Sequence, residues 1–186
     1  NTAIGRRALY ANTTASYNTA VGDDSLYTNT TGAYNTSVGQ EALYYNTTGD
    51  YNTAVGRDAL ILNTTGDYNT AVGGASLYSN TTGTPNVAVG YQALYSTTAG
   101  WNCGVGYKAL YANTSGSSNT AVGNNALLTV TTGISNSALG NSALRTNTGS
   151  YNTALGDSAL YSNTSASYNT AVGNQALYTN STGSDN

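Results

Sequence analysis

Few residues in this chain have types and spacings that could do chemistry. There is no histidine, which removes histidine-based triads and histidine metal sites, and there is one cysteine, Cys103. Cys103 cannot form an internal disulfide; it reads as a small filler where other segments carry Thr. Asp23 and Asp24 are adjacent carboxylates that could hold a cation, but the simpler reading is a solvated turn. Asn12, Asn29, Asn46, Asn63 and Asn80 each fit the Asn-x-Ser/Thr pattern, as do Asn113, Asn163 and Asn180. They are candidate glycosylation acceptors, or else residues that simply make a turn. Tyrosine is abundant, at 17 residues, and could form a carbohydrate- or surface-binding strip or pack between neighbours. The glycines spell no phosphate loop, because no G-x-x-x-x-G-K-[ST] is present. No catalytic, metal-ligating or cofactor-binding residue is therefore expected, and the chain reads as a non-enzyme.

The elements that must position these residues come from one dominant feature. Asn recurs at Asn1, Asn18, Asn35, Asn52, Asn69, Asn86, Asn102, Asn119, Asn136, Asn152, Asn169 and Asn186, at steps of 17 residues except two of 16. The unit reads N-T-A-V-G-x-x-A-L-Y-x-N-T-T-G-x-Y, and its seventeen places are numbered here from that Asn. Eleven full copies are followed by Asn186, which opens a twelfth, so residues 1–186 form a single repeat array, expected to be a segment of a longer fibre protein. Place five is always Gly and place nine always Leu; place four is always Val, Ile or Leu. Places three and eight are small, place ten is Tyr in eight of eleven copies, and place seventeen is mostly aromatic. Charges cluster at places six, seven and sixteen, as expected of solvent-facing turns. Only 7% of residues are charged, with a net charge of −3. Without a basic patch no nucleic-acid partner is expected. No apolar run approaches the ~20 residues of a membrane helix.

A unit of 17 residues is too short for a helical hairpin repeat, which takes roughly 33 or more. The Gly and Asn-Thr-Thr-Gly tracts also oppose helix. Tyr17–Val21 and Ser25–Tyr27 read as two short strands, separated by a turn at Gly22 and followed by a longer turn at Asn29-Thr30-Thr31-Gly32. The expected fold is all-β: a parallel β-solenoid of about eleven rungs stacked roughly 4.8 Å apart, giving a rod of roughly 50 Å. In that rod Val21, Leu26, Val38, Leu43, Val55, Leu60, Val72 and Leu77 would stack as an apolar core ladder. Asn18, Asn35 and Asn52 would stack their side-chain amides. Gly22, Gly39 and Gly56 would supply positive φ or close backbone approach. The 16-residue units would lose a residue in the long turn, around Ser96-Thr97 and Thr148-Gly149. Along Thr19-Ala20-Val21 the small and large apolar residues point to opposite faces. One set would line the coil and the other would pack between chains, so a homo-oligomer is expected.

Asn18-Thr19-Ala20-Val21-Gly22 and Asn52-Thr53-Ala54-Val55-Gly56, followed by Ser25 or Ala59, resemble the head repeats of YadA-type trimeric autotransporter adhesins. They are also similar to Asn-Thr-Ala-Val-Gly arrays of phage tail fibres and other surface fibres. The resemblance runs through every copy, although the YadA-like unit is typically about 14 residues and this one is longer by the Asn-Thr-Thr-Gly connection. It implies a left-handed β-roll built as a homotrimer that displays or spaces a binding tip. The expected role is thus a structural and adhesive fibre segment, in a shaft or head, at an extracellular or virion surface, with copies of itself and a cell-surface glycan or receptor as partners. The alternative is an ice-binding solenoid built on Thr ladders, against which Val87, Cys103 and Ser137 interrupt the place-two column. No atypical capping unit is visible, which fits a longer array or end-to-end stacking.

Overall fold

The computed structural model describes residues 1–186 and is all-β, with no helix. Each repeat supplies one short strand: β1 (Thr2–Ile4), β2 (Thr19–Val21), β3 (Thr36–Val38), β4 (Thr53–Val55), β5 (Thr70–Val72), β6 (Asn86–Val89), β7 (Asn102–Val105), β8 (Thr120–Val122), β9 (Ser137–Leu139), β10 (Thr153–Leu155) and β11 (Thr170–Val172). They form one parallel sheet in chain order. Every residue pairs with its equivalent one repeat away, as Thr53↔Thr70, Ala54↔Ala71 and Val55↔Val72. The chain is a parallel β-solenoid whose rungs are the repeats. At the 16-residue rungs the register is kept, with Val89 opposite Val105 and Leu139 opposite Leu155.

Only one of the two expected strands per rung forms. Ser25–Tyr27 lies in a turn, as do its equivalents in the other rungs apart from Tyr178 in the last. The cause is backbone handedness. Places seven and nine have positive φ throughout, as at Asp24 (57°) and Leu26 (51°), and strands need negative φ. This winding still serves the ladder. The Leu26 N–H donates to Ala42 O at 3.0 Å and the Thr28 N–H to Tyr44 O at 3.0 Å, while the Gly22 N–H turns back to Ile4 O at 2.8 Å. Backbone hydrogen bonds therefore connect the rungs on the turn side as well as through the sheet, which meets the requirement that buried backbone groups be paired.

The core is thin. Leu26, Leu43, Leu60 and Leu77 are fully buried, as are Ala20, Ala54, Ala71 and the place-eight residues Ala42, Ala59 and Ser76. The Val half of the expected core ladder is corrected. Val21, Val55 and Val72 are only partly covered, Val38 is exposed, and Ile4 and Val172 are 60% and 65% exposed. Strand alternation decides this: with Ala at place three pointing in, places two and four must both point out. The small residue takes the inner position because Leu already fills the interior. A Cβ at Gly104, place three of its rung, would lie 3.3 Å from Cγ of Leu94 in the preceding rung. A branched side chain there would collide with the Leu ladder. Where Ser replaces Ala inside, the hydroxyls satisfy one another: Ser25 Oγ donates to Ser37 Oγ at 2.7 Å, and Ser37 Oγ donates to Ala42 O at 2.8 Å.

Candidate functional site

Two asparagine ladders run the length of the rod. At place one, the Asn35 N–H donates to Asn18 Oδ1 at 2.8 Å, and the Asn52 N–H to Asn35 Oδ1 at 2.8 Å. Asn18 Nδ2 donates to Gly32 O at 2.8 Å, closing its own rung. This differs from the expected amide-on-amide stack: each amide oxygen meets the next backbone N–H. Direct amide-to-amide contacts at this place occur from Asn119 onward, as Asn136 Nδ2 to Asn119 Oδ1 at 3.1 Å. Each of these Asn residues thus replaces a ladder bond that the backbone alone would leave unmade.

The second ladder corrects the glycosylation reading. Asn29, Asn46, Asn63 and Asn80 are completely buried, and Asn12 at the first rung is half-buried. Asn46 Nδ2 donates to Asn29 Oδ1 at 2.8 Å and to Gly49 O at 3.0 Å, and Asn63 repeats the pattern at 2.8 and 2.9 Å. Asn29 Nδ2 reaches Gly32 O at 2.9 Å, and Asn12 Nδ2 reaches Ala15 O at 3.3 Å. A sugar on these nitrogens would have no room in the fold. One sequence signal could have revealed the burial: the same column contains Val130, itself fully buried. A glycosylated or solvated turn gives no reason for Val at that place.

Breaks in this ladder leave polar atoms orphaned. Asn80 Oδ1 and Asn113 Oδ1 are buried without a partner. Each faces a rung whose place-twelve residue is not Asn: Thr97 follows Asn80, and Val130 follows Asn113. Thr97 lies in a 16-residue rung, yet Asn147 occupies the same place in the other 16-residue rung and donates to Gly149 O at 2.9 Å. Thr97→Asn should therefore fit and give Asn80 Oδ1 its donor. The expected gain is about 1 kcal/mol, read as a higher denaturant midpoint at unchanged slope; a lower midpoint would show that the ladder does not tolerate Asn there.

The charged turns pair between rungs. Arg6 donates to Asp23 at 2.9 and 2.7 Å, and Arg7 to Asp24 at 2.7 and 2.6 Å, both bidentate. The adjacent carboxylates thus have arginine partners. The hydrogen bond from Arg6 holds the Asp23 carboxyl below the usual range, and the same contacts raise Arg6 and Arg7 above the ordinary guanidinium value. Cys103 stands on the outer face at place two opposite Thr120, and partial burial pushes its thiol up.

The outer surface is organised in aromatic rows. At place ten Tyr10, Tyr27 and Tyr44 stack at 5.1 and 5.0 Å, and Tyr78, Tyr95 and Tyr111 at 4.9 and 5.2 Å. At place seventeen Tyr17, Tyr34, Tyr51 and Tyr68 stack at 4.7–5.2 Å. These rings pack on one another along the rod, and the place-seventeen set remains exposed. The opposite property marks Gly74-Ala75: it is the one pair at places six and seven with no side chain beyond Cβ. A cleft of about 410 Å³ opens there.

No protein-family model, curated protein or solved structure matches this chain. What the chain does must accordingly be argued from its surfaces. Three are distinct: the outward Thr and Val columns of the sheet, the tyrosine rows, and the cleft over Gly74.

Proposed function

We propose that this chain is a structural and adhesive fibre segment, a shaft or head at an extracellular or virion surface, and that it is not an enzyme. The observation that carries this reading is the strict rung-to-rung register of all eleven strands, each place paired with the same place of the next repeat. Such a structure adds length without adding a centre, which suits spacing and display. The resemblance to YadA-like head repeats and tail-fibre arrays adds a left-handed, homotrimeric assembly to the proposal.

The proposed partner on the sheet's outer face is a second copy of the chain. Place four is apolar in every repeat yet faces outward, from Ile4 through Val38, Leu139 and Leu155 to Val172. An unbroken apolar strip roughly 50 Å long on eleven rungs is larger than isolated surface side chains require and marks an interaction face. A copy of the same rod offers the same repeat distance, so its Val column can match this one rung for rung. Val55→Asp combined with Val72→Asp should leave the circular dichroism spectrum intact and convert the oligomer to monomer in sedimentation analysis. Unchanged sedimentation would remove this face from the assembly. Electron microscopy of native protein tests the fibre reading itself: rods with rotational symmetry are expected, and compact monomeric globules would overturn it.

One observation favours an ice-binding alternative. The place-two threonines lie on the outer face of a regular sheet, as Thr19, Thr53 and Thr70, rather than in a turn. Val87, Cys103 and Ser137 break that row. Thermal hysteresis of the purified protein would support this reading, and its absence would eliminate it.

A further inference from the structure

We propose that the breach at Gly74-Ala75 is a binding site for one hexopyranose unit of a neutral glycan. The inference builds on the fibre reading, because it locates the adhesive contact on the shaft. It starts from a missing layer. In the rungs on either side, places six and seven carry Arg57 and Asp58, then Tyr91 and Gln92; the rung between has only Gly74 and Ala75. Side chains in these columns stack at the rung spacing, so the missing layer removes about 4.8 Å of side chain, part of which Tyr91 refills by leaning toward Gly74. What stays open is a cleft of about 410 Å³, room for a single sugar ring.

The walls have the chemistry of a sugar site. Tyr91 is 52% exposed and leans over the floor: a Cβ on Gly74 would lie 3.4 Å from Tyr91 Cδ2. Its ring stands 5.8 Å from Tyr107, wider than any other stacked pair along the rod. Tyr78 and Tyr95, stacked at 4.9 Å, form the side wall. An aromatic face suits the apolar C–H face of a pyranose, and phenolic hydroxyls at its edge remain available for hydrogen bonds. Gln92 supplies an amide donor and acceptor, while Arg57 and Asp58 supply the guanidinium donors and carboxylate oxygen not engaged in their mutual contact.

Charge selects a neutral ligand. Arg57 Nε lies 3.2 Å from Asp58 Oδ2, so the cation and the carboxylate offset one another and neither an anion nor a cation finds an unopposed partner. The floor offers little, because its backbone is committed to the ladder: the Ala75 N–H donates to Arg57 O at 2.9 Å, and Gly74 O accepts from the Gln92 N–H at 3.0 Å. Recognition must come from the surrounding side chains. A ligand with an apolar face and a hydroxyl rim fits them; a purely aromatic or aliphatic one would leave Gln92, Arg57 and Asp58 facing nothing.

The test is affinity electrophoresis of the native protein through gels containing dextran, a mannan or a galactan. Retardation in at least one gel is expected. Gly74→Tyr should abolish it by filling the layer, and Tyr91→Ala should weaken the apparent affinity at least tenfold. Gly74 lacks a positive φ and Tyr91 and Tyr107 already occupy place six, so Gly74→Tyr is compatible with the fold. Its melting curve should match the parent, and if it does not fold, Tyr91→Ala decides alone. Tyr10→Ala, at the far end of the rod, should leave retardation unchanged. No retardation in all three gels, or retardation indifferent to both notch variants, overturns the inference. Imaging the same samples separates this failure from that of the fibre reading: rods without retardation condemn only the sugar site, and globules condemn the fibre.

Discussion

Gly56→Ala should split the rod's unfolding into two steps. Gly56 has φ of 134°, a region that L side chains almost never enter, and an added Cβ would lie 2.7 Å from both C and O of Gly73 in the next rung. Neither obstacle can move cheaply. The Gly73 carbonyl accepts from the Ser76 N–H at 3.2 Å and from the Ser76 hydroxyl at 2.8 Å, so the colliding group is tied into its own turn. The forced conformation costs on the order of 1–3 kcal/mol, and the overpacking adds roughly 1–3 kcal/mol. In a repeat array each rung is stabilised chiefly by its two neighbours. A loss of this size at one interface uncouples the rungs before it from those after it. Thermal melts followed by circular dichroism should show two transitions where the parent shows one, with new proteolytic cleavage near residue 56. A single transition at the parent midpoint would mean that this glycine column is not what sets the stacking distance.

The solenoid, its period, the glycine column and the place of the missing residue in the short rungs were all legible before the fold was known, because each follows from local backbone chemistry repeated in register. In the short rungs Thr98 is followed directly by Ala99, and Thr148 by Gly149, so the lost residue is the second Thr of the long turn. The facing of the columns was not legible. Ala20 and Val21 are both apolar, and hydrophobicity alone does not say which side of a strand is inside. The deciding fact is the width left by the Leu ladder, a tertiary quantity. The second strand does not form for a related reason: Ser25-Leu26-Tyr27 has strand composition, but its backbone is left-handed at Leu26, which composition within one rung does not announce. The burial of Asn29 and Asn46 is not legible in the sequence, because Asn-Thr-Thr-Gly is equally good turn chemistry. Their burial depends on the amide of the next rung arriving at hydrogen-bond distance, and only Val130 hints at it.

Those left-handed residues explain a contrast between two apolar columns. Place four accepts Val, Ile and Leu, whereas place nine is Leu in every copy. If place nine were an ordinary core position, Ile and Val would be natural occupants beside Leu. Positive φ forbids them: a β-branched residue there is an outlier, while Leu, branched one atom further out, can tolerate it. Gly would relieve the backbone but would empty the interior. Leu is therefore the residue that fills the core and also permits the winding that aims the place-nine N–H at the following rung.

Leu77 provides the sharpest test of this account. It is fully buried, has φ of 51°, and its N–H donates to Ala93 O at 3.0 Å. Leu77→Ala should cost about 2–5 kcal/mol through lost packing and the cavity left behind. Leu77→Ile keeps the volume, and in an ordinary core such a swap costs under about 1.5 kcal/mol. Here the branched Cβ meets a left-handed backbone, where a β-branched residue is an outlier, so the Ile variant should fall well below the parent and toward the Ala variant. The equivalent change at place four, Val72→Ile, should cost far less than Leu77→Ile within the rung, because that residue is in a strand of ordinary φ and only partly covered by its own chain. Urea unfolding of all three at one fixed protein concentration holds the mass-action contribution of assembly constant. Should Leu77→Ile prove as stable as the parent, the left-handed turn would not be what keeps isoleucine out of this column, and a purely volumetric explanation would have to replace it.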